Sequence, residues 1–388
     1  MKDIKLGISL YPEQEAREDV VKYIRTAAKY GFTRIFTSMF SVPGTAEEVL
    51  AFFKDLCDIA HENGMIVIAD ANPQLFARLG ASESNLEPFA RIGMDGLRMD
   101  APFADERDIT LTNNPYGIQI VSSTAMQGKM DDLIAACGTE KITVCHNFYP
   151  QRYSGISFEQ FNKLNAPFVE KNIKIEAFVT SQVKGAHGPW PVWDGLVTVE
   201  DMRNLPIDAQ ARIMIMLGTI DYITISNAFA SEDELKALKE TIDFYKEDHE
   251  KFVMLGGIYK CPIGEKRHIL DIVTEDTVSD IERKLVFEYP AHMDLGDGFN
   301  YYIRSRMTRF GNDKFDIPYV DPGKPYFQKG DVMVVNNNCR HYMGEVQICL
   351  KPMKNDGQRN LVGHVEENEL ILVDMIGASE IIRFKEMK

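Results

Sequence analysis

Short apolar runs alternate with longer segments that have apolar residues at helical spacing through the first 227 residues of the chain. The runs have the length of ordinary strands, and the segments between them have the length of helices. Eight such runs occur, at residues 4–11, 33–38, 65–70, 96–100, 118–123, 142–147, 175–180 and 222–227. Eight strand–helix units within about 250 residues are what a (β/α)8 or TIM barrel requires. The pattern therefore predicts an α/β fold built on a closed parallel barrel.

The pattern changes near residue 250. Beyond it, short alternating segments such as DVMVVNNN are separated by turn sequences such as DPGKP and NDGQ. This arrangement predicts a small antiparallel sheet or β-barrel. We therefore expect two domains, a catalytic TIM barrel at residues 1–250 and a β domain at residues 251–388.

The composition argues against several kinds of partner. A net charge of −15 disfavours nucleic acid, because a protein that neutralises phosphates needs an excess of Lys and Arg on one face. No apolar stretch approaches the roughly 18 residues of a membrane span, and the amino terminus lacks the apolar core of a secretory signal. The cysteines form no C-x-x-C pair and the histidines no metal-binding pattern. We expect a cytoplasmic protein that acts on a small molecule without a metal or cofactor; a homo-oligomer stays open.

The carboxyl ends of the predicted barrel strands are the place to look for chemistry, because TIM-barrel active sites lie at that face. In the run GLRMD, Leu97 and Met99 alternate with Arg98 and Asp100. If the apolar pair faces the outer helices, the two-residue period of a strand directs Arg98 and Asp100 into the barrel. Asp100 is therefore a candidate catalytic acid. The alternative is a buried ion pair with Arg98 that only stabilises the barrel.

Three further carboxylates are candidates. Asp70 ends the third run, where it is either a catalytic acid or the N-cap of the next helix. Glu13 follows the first run and is either a site acid or a solvated loop charge. Glu176 lies some four residues before the end of the seventh run, so a structural role is as consistent with its position as a catalytic one. A pair of such acids over the barrel mouth is the arrangement that cleaves a glycosidic bond, and Asp100 with Asp70 is the preferred pair.

Aromatic and polar residues at the same face are candidates for binding a sugar. Tyr11, Phe148, Tyr149, Trp190 and Trp193 offer flat apolar surfaces, although each of them is equally consistent with loop packing. His146 and Asn147 end the sixth run and are expected to orient a sugar; the alternative for His146 is that it anchors the loop.

Two other regions are expected to contact a substrate. The loop at residues 182–206 holds both tryptophans and Asp194, and its length favours a wall or a lid of the site. In the β domain, Arg304 and Arg306 are two residues apart on a predicted strand, where two guanidinium groups suit a phosphate or carboxylate. The alternative is that this strand face is simply solvated.

Several segments together resemble a known family across essentially the whole chain. They are GISLYPEQ, FTRIFTSMF, GLRMDAPF, CHNFYPQRYSGIS, HGPWPVWDGLVTVEDMR and IRSR. The family is that of bacterial proteins once grouped as uncharacterised outer surface proteins and now associated with 6-phospho-N-acetylmuramidase activity. The resemblance implies a TIM barrel followed by a cyclophilin-like β-barrel. It also implies hydrolysis of the bond between N-acetylmuramic acid 6-phosphate and N-acetylglucosamine, a cytosolic step of cell-wall recycling.

Two other functions stay open at this point. One is a sugar-phosphate isomerase or aldolase on the same barrel, although no Lys ends a predicted strand where a Schiff base would need it. The other is a carbohydrate-binding protein that holds its ligand without converting it. Release of an aglycone from a phosphorylated muramoside distinguishes hydrolysis from both.

Overall fold

The structure of the protein is a computed structural model that describes residues 2–40, 42–125, 127–191, 194–251, 267–289, 291–294, 300–309, 315–378 and 380–387. It contains two compact units, Lys2–Ile242 and Asp243–Lys388. None of the helices in these ranges combines the length and the hydrophobicity that a membrane span needs.

The first unit is a closed barrel of eight parallel strands, each hydrogen-bonded to the next and the last to the first. The strands are β1 Lys5–Leu10, β2 Arg34–Ser38, β3 Ile66–Ala71, β4 Gly96–Met99, β5 Gln119–Ser123, β6 Ile142–Cys145, β7 Lys174–Val179 and β8 Tyr222–Ile225. The helices are α1 Arg17–Lys29, α2 Ala46–Glu62, α3 Pro73–Leu79, α4 Glu87–Arg91, α5 Arg107–Thr112, α6 Gln127–Cys137, α7 Phe158–Glu170, α8 Ile207–Leu217 and α9 Glu232–Lys251, the last of which continues past Ile242. The predicted TIM barrel is confirmed.

Inward-facing side chains fill the barrel with an apolar layer and a polar layer. The apolar layer comes from five strands and consists of Phe36, Ile68, Val121, Cys145 and Phe178. Such a layer makes the interior a packed core, so that a substrate is confined to the mouth.

The polar layer contains a buried ion pair. Arg34 Nη2 lies 2.9 Å from Glu176 Oε2, and Thr224 Oγ1 donates to the other carboxylate oxygen at 2.5 Å. The guanidinium carbon of Arg34 is 4.0 Å from the ring centroid of Tyr222. A Cβ at Gly7 would lie 2.5 Å from Thr224 Oγ1, so the close approach of β1 to β8 requires glycine there. These contacts favour the structural role for Glu176.

Glu176→Gln is expected to lower the free energy of unfolding of the barrel by about 3 kcal/mol, because it leaves the Arg34 guanidinium buried without its counter-charge. Urea denaturation of the parent, of this variant and of the exposed control Glu62→Gln measures the difference. A loss of no more than about 0.5 kcal/mol, the usual effect of a surface change, would contradict a structural ion pair.

The second unit contains a mixed sheet whose strands are β9 Arg267–Thr274, β10 His292–Met293, β11 Tyr302–Ser305, β13 Asp331–Val335, β14 Val346–Cys349, β16 Arg359–Val365 and β17 Ile381–Glu386. These seven strands are hydrogen-bonded in the order β10-β17-β9-β16-β13-β14-β11. A separate pair is formed by β12 Tyr326–Phe327 and β15 Met353–Lys354, and short helices lie at α10 Asp280–Arg283 and α11 Leu370–Asp374.

The edges of this sheet approach each other. His292 Nδ1 on β10 is 3.0 Å from Ser305 Oγ on β11, so the sheet is nearly closed. All neighbouring strands are antiparallel except β9 and β17, which run parallel. The expected small β-barrel at the carboxyl-terminal side is therefore present, with one parallel pair in it.

Candidate active site

A single guanidinium joins the ends of three barrel strands. Arg98 lies on β4 opposite Asp70 of β3, and its side chain is only 4% exposed. Its Nη1 donates to Asp70 Oδ1 at 2.6 Å and to Asp100 Oδ1 at 3.4 Å. Its Nη2 donates to the Oδ1 of Asn147, which follows β6. Arg98 therefore brings two of the predicted acids and one predicted polar ligand together at the barrel mouth.

Asp70 is the buried member of the acid pair. Its residue is 8% exposed, and the cap of helix α3 is made by Asn72, whose Oδ1 accepts from the backbone N–H of Leu75 at 2.8 Å. The N-cap alternative for Asp70 is therefore wrong. Burial raises the pKa of the Asp70 carboxyl to about 6, while the Arg98 charge acts in the opposite direction. A carboxyl with such a pKa holds a proton that it can donate near neutral pH.

Asp100 is the open member of the pair. Its side chain is 50% exposed and lies directly after β4. Because one Arg98 nitrogen contacts both carboxylates, at 2.6 and 3.4 Å, the two contacting oxygens are at most about 6 Å apart. Retaining glycosidases hold their two carboxyl groups roughly 5–5.5 Å apart, and inverting enzymes roughly 6.5–9.5 Å apart. The geometry of this pair is compatible with the retaining arrangement.

Tyr11 and Glu13 lie beside this pair at the end of the first strand. The Tyr11 ring is fully buried, and its hydroxyl donates to the backbone oxygen of Ser226 at 2.9 Å. Burial raises the pKa of the Tyr11 hydroxyl, and the nearby Asp70 and Glu13 carboxylates raise it further. Glu13 belongs to the 3-10 turn Pro12–Gln14, and both of its carboxylate oxygens are shielded from solvent. Glu13 therefore remains a candidate acid near the pair.

His146 is fixed inside the loop that follows β6. Its Nε2 is 2.7 Å from Asn165 Oδ1, its Nδ1 is 3.2 Å from Thr124 Oγ1, and its ring stacks on Phe161. Burial lowers the pKa of His146 to about 4, so the ring is neutral at physiological pH. Because both ring nitrogens already have partners, the contacts favour the anchoring role over direct contact with a sugar. Asn147 is held by Arg98 through its oxygen, and its Nδ2 has no partner among the described residues.

Aromatic side chains extend the apolar layer of the barrel toward the surface. Phe148 packs edge-on against Phe178, with ring centroids 5.2 Å apart. Trp190, which is 49% exposed, lies 6.4 Å from Phe148 between centroids. Tyr149 is half-buried, and burial raises the pKa of its hydroxyl. Trp193 lies outside the described residues. The rings of Phe148 and Trp190 form an apolar surface of the kind that a sugar ring stacks on.

Asp194 connects two loops of the catalytic face. Its Oδ1 is 2.5 Å from Arg152 Nη2, which joins the loop after β7 to the loop after β6. The Arg152 guanidinium lowers the pKa of the Asp194 carboxyl. Arg152 could not be identified from the sequence, because nothing in the local pattern pairs it with a residue 42 positions away.

Comparison with known families covers most of the chain. A sequence model for the N-terminal part of 6-phospho-N-acetylmuramidase matches residues 6–240, and one for the C-terminal part matches residues 268–385. The chain belongs to the 6-phospho-N-acetylmuramidase family. The resemblance found in the sequence is confirmed, and the protein is an enzyme with the glycosidase activity of this family.

Two solved structures that are similar to this chain come from proteins without a functional assignment. An uncharacterised B. cereus protein is 33% identical, with a TM-score of 0.82 over 99% of this chain and 100% of that chain. A conserved Enterococcus faecalis protein of unknown function is 21% identical, with a TM-score of 0.69 over 98% and 96% of the two chains, and this likeness shows the fold alone. No curated protein matches the chain.

In the part that matches the C-terminal 6-phospho-N-acetylmuramidase model, Arg304 and Arg306 are placed differently from each other. Arg304 lies on β11, and its Nε is 2.8 Å from Glu345 Oε1. The strand ends at Ser305, and Arg306 begins the 3-10 turn Arg306–Arg309. The shared strand face expected from the sequence therefore does not extend to Arg306.

Proposed function

We propose that this protein hydrolyses the bond between N-acetylmuramic acid 6-phosphate and N-acetylglucosamine in the cytoplasm, as a step of cell-wall recycling. The observation that carries the proposal is the Arg98 cluster. In this cluster, the Arg98 guanidinium contacts the buried Asp70 and the more exposed Asp100 at the mouth of a TIM barrel. The chain that contains the cluster belongs to the 6-phospho-N-acetylmuramidase family.

The two acids take different roles because their surroundings differ. Asp70, with its raised pKa, donates its proton to the glycosidic oxygen, so that N-acetylglucosamine leaves as a neutral alcohol. Asp100, which is open to the mouth, forms a glycosyl ester with the anomeric carbon as the glycosidic bond breaks. A water molecule then attacks the anomeric carbon of this ester and gives a proton to Asp70. Asp70 is then protonated again, and Asp100 is again a carboxylate. Arg98 positions both acids throughout the cycle.

The surrounding residues bind the sugar. Asn147 offers its Nδ2 donor, and Phe148, Tyr149 and Trp190 offer apolar faces. Contacts of Trp193 and Asp194 with the sugar stay predictions, and so does binding of the phosphate by Arg304 and Arg306. Glu13 is the reserve for either catalytic role. The buried contacts of Glu176 with Arg34 and Thr224 support a structural role for that residue.

The direct test is release of 4-nitrophenol from the 4-nitrophenyl glycoside of N-acetylmuramic acid 6-phosphate. The purified protein is expected to release it, and to act at least about tenfold more slowly on the same glycoside without the phosphate. Saturable binding without release would instead support a carbohydrate-binding protein. Absence of both would leave the isomerase or aldolase alternative and contradict the proposal.

The pH dependence tests the role of Asp70. We expect kcat/KM to fall as the pH rises through about 6, because ionisation of Asp70 removes the proton donor of the free enzyme. Initial rates from pH 4.5 to 8.5 measure this descending limb in the parent protein and in Asp58→Asn, an exposed control on helix α2. A rate that stays constant or rises between pH 5.5 and 7.5 would show that Asp70 is not the proton donor.

A further inference from the structure

The second unit contains a polar cavity of about 310 Å³ between its strands. Residues from four strands and their connecting turns line it, among them Tyr302, Arg304, Tyr342, Gln347, Gln358 and Arg359. All of them belong to the unit Asp243–Lys388. We propose that this cavity binds a monosaccharide that carries an anionic group, either a phosphate or a carboxylate. The proposal extends the anion-binding role predicted for Arg304 and does not depend on hydrolysis in the barrel.

A continuous network of hydrogen bonds fixes two guanidinium groups in the cavity. Arg359 Nε donates to Gln347 Oε1 at 2.7 Å, and Gln347 Nε2 donates to Glu345 Oε1 at 2.8 Å. The same Glu345 oxygen accepts from Arg304 Nε at 2.8 Å. Gln347 and Glu345 are both buried, so they hold the arginines of β16 and β11 in place before any ligand arrives. Groups fixed in advance lose little conformational entropy when a ligand binds.

Polar groups of the cavity retain capacity for a ligand. Arg359 Nη1 binds Asp356 at 2.9 and 3.1 Å, while its Nη2 has no hydrogen-bond partner among the described residues. The side-chain amide of Gln358 likewise has none within the described part of the chain. The two N–H groups of Arg359 Nη2, next to the side-chain amide of Gln358, suit a charged oxygen group and a neighbouring hydroxyl.

Guanidinium groups line the cavity although the whole chain is acidic, with a net charge of −15. The guanidinium of Arg304 contacts Glu345, and that of Arg359 contacts Asp356. In such a chain an anionic ligand must be met by local N–H donors of this kind, because the overall field repels it.

Two tyrosines and the size of the cavity point to a sugar ring. The Arg359 guanidinium is 5.4 Å from the ring centroid of Tyr302, and that of Arg304 is 5.2 Å from the ring centroid of Tyr342. Aromatic faces next to hydrogen-bonding groups match the alternating apolar and polar surfaces of a sugar. A volume of 310 Å³ lies at the lower end of the roughly 300–1,000 Å³ of ligand pockets, which suits one ring better than two.

Calorimetric titration of the full chain tests the proposal. The probes are N-acetylglucosamine 6-phosphate, N-acetylmuramic acid as the carboxylate, neutral N-acetylglucosamine and inorganic phosphate. We expect at least one of the two anionic sugars to bind, and its identity shows which anion the cavity takes. The neutral sugar and inorganic phosphate are each expected to bind at least tenfold more weakly. Equal affinity for inorganic phosphate would overturn the assignment of a sugar site.

Variants locate the site. Arg359→Met is expected to weaken binding at least tenfold, and Tyr342→Ala, which removes an exposed wall but no hydrogen bond of the Gln347 network, at least threefold. Arg98→Met in the barrel is expected to leave this binding intact. Binding that survives Arg359→Met, or that is lost in Arg98→Met instead, would overturn the proposal, and so would an absence of saturable binding to both anionic sugars.

Circular dichroism and the Tm of each variant identify misfolding, and Tyr342→Ala then decides if Arg359→Met fails to fold. Hydrolysis is assayed separately on the 4-nitrophenyl glycoside, so failure of this site and failure of the proposed function are distinguishable.

Discussion

Asp70→Asn is expected to lower kcat on the phosphorylated disaccharide by about 10²–10⁴-fold, because the Asn side chain has the same size but cannot donate a proton to the leaving oxygen. The effect depends on the leaving group. On a 2,4-dinitrophenyl glycoside, whose leaving group needs little protonation, the variant is expected to regain most of the parent rate of bond cleavage. Initial rates on the two substrates measure the difference.

Asp100→Asn provides the complementary variant. It removes the carboxylate that attacks the anomeric carbon, so we expect a loss of at least about 10³-fold on both substrates, regardless of the leaving group. Asp58→Asn on the outer face of helix α2 is the matched control and should keep the parent rate. If Asp70→Asn and Asp100→Asn both kept the parent rate, the Arg98 cluster would have no part in catalysis, and Glu13 would be the next acid to test.

Arg98→Met is expected to lower kcat by about 10²-fold or more, because three groups at the mouth lose the guanidinium that positions them. Asp70 also loses the charge that opposes the effect of burial, so its pKa is expected to rise above about 6. The descending limb of the pH profile should therefore move to higher pH. If Arg98 had a purely structural role, Arg98→Met would have a lower Tm, but its rate would fall over the same pH range as that of the parent.

A conservative variant and a surface control complete the test of Arg98. Arg98→Lys keeps the positive charge, but its single ammonium group cannot contact all three partners as the guanidinium does. We therefore expect the pH dependence of the rate to return partly to that of the parent, while kcat does not recover fully. Arg91→Met, on the exposed end of helix α4, is the matched control for loss of a surface guanidinium. A parent-like kcat in Arg98→Met would contradict the positioning role.

The barrel could be predicted from the sequence because its signals are local. Each predicted run differs from the observed strand by only a few residues, as in 142–147 against Ile142–Cys145. The inward direction of Arg98 and Asp100 followed from the apolar Leu97 and Met99 between and beside them. Periodicity over a few residues determines which face a side chain occupies, so this part of the site was accessible before the fold was known.

Other features depend on contacts that no local pattern contains. Asp70 follows residues that are apolar on both faces, so its direction became clear only from its pairing with Arg98 across β3 and β4. The partners of His146 lie 22 and 19 residues away, on different elements. The parallel pairing of β9 with β17 joins segments more than a hundred residues apart, and alternation along either strand is the same for both pairing directions.

The course of the reaction at the anomeric carbon tests most directly whether Asp70 and Asp100 act as one pair. Proton NMR can follow the first N-acetylmuramic acid 6-phosphate released by the parent protein, before the free sugar mutarotates. Because one Arg98 nitrogen holds the contacting oxygens of the two carboxylates within about 6 Å of each other, we expect the product to keep the anomeric configuration of the substrate. An inverted product would require a water molecule between acids that stand farther apart, and would contradict the assignment of this pair.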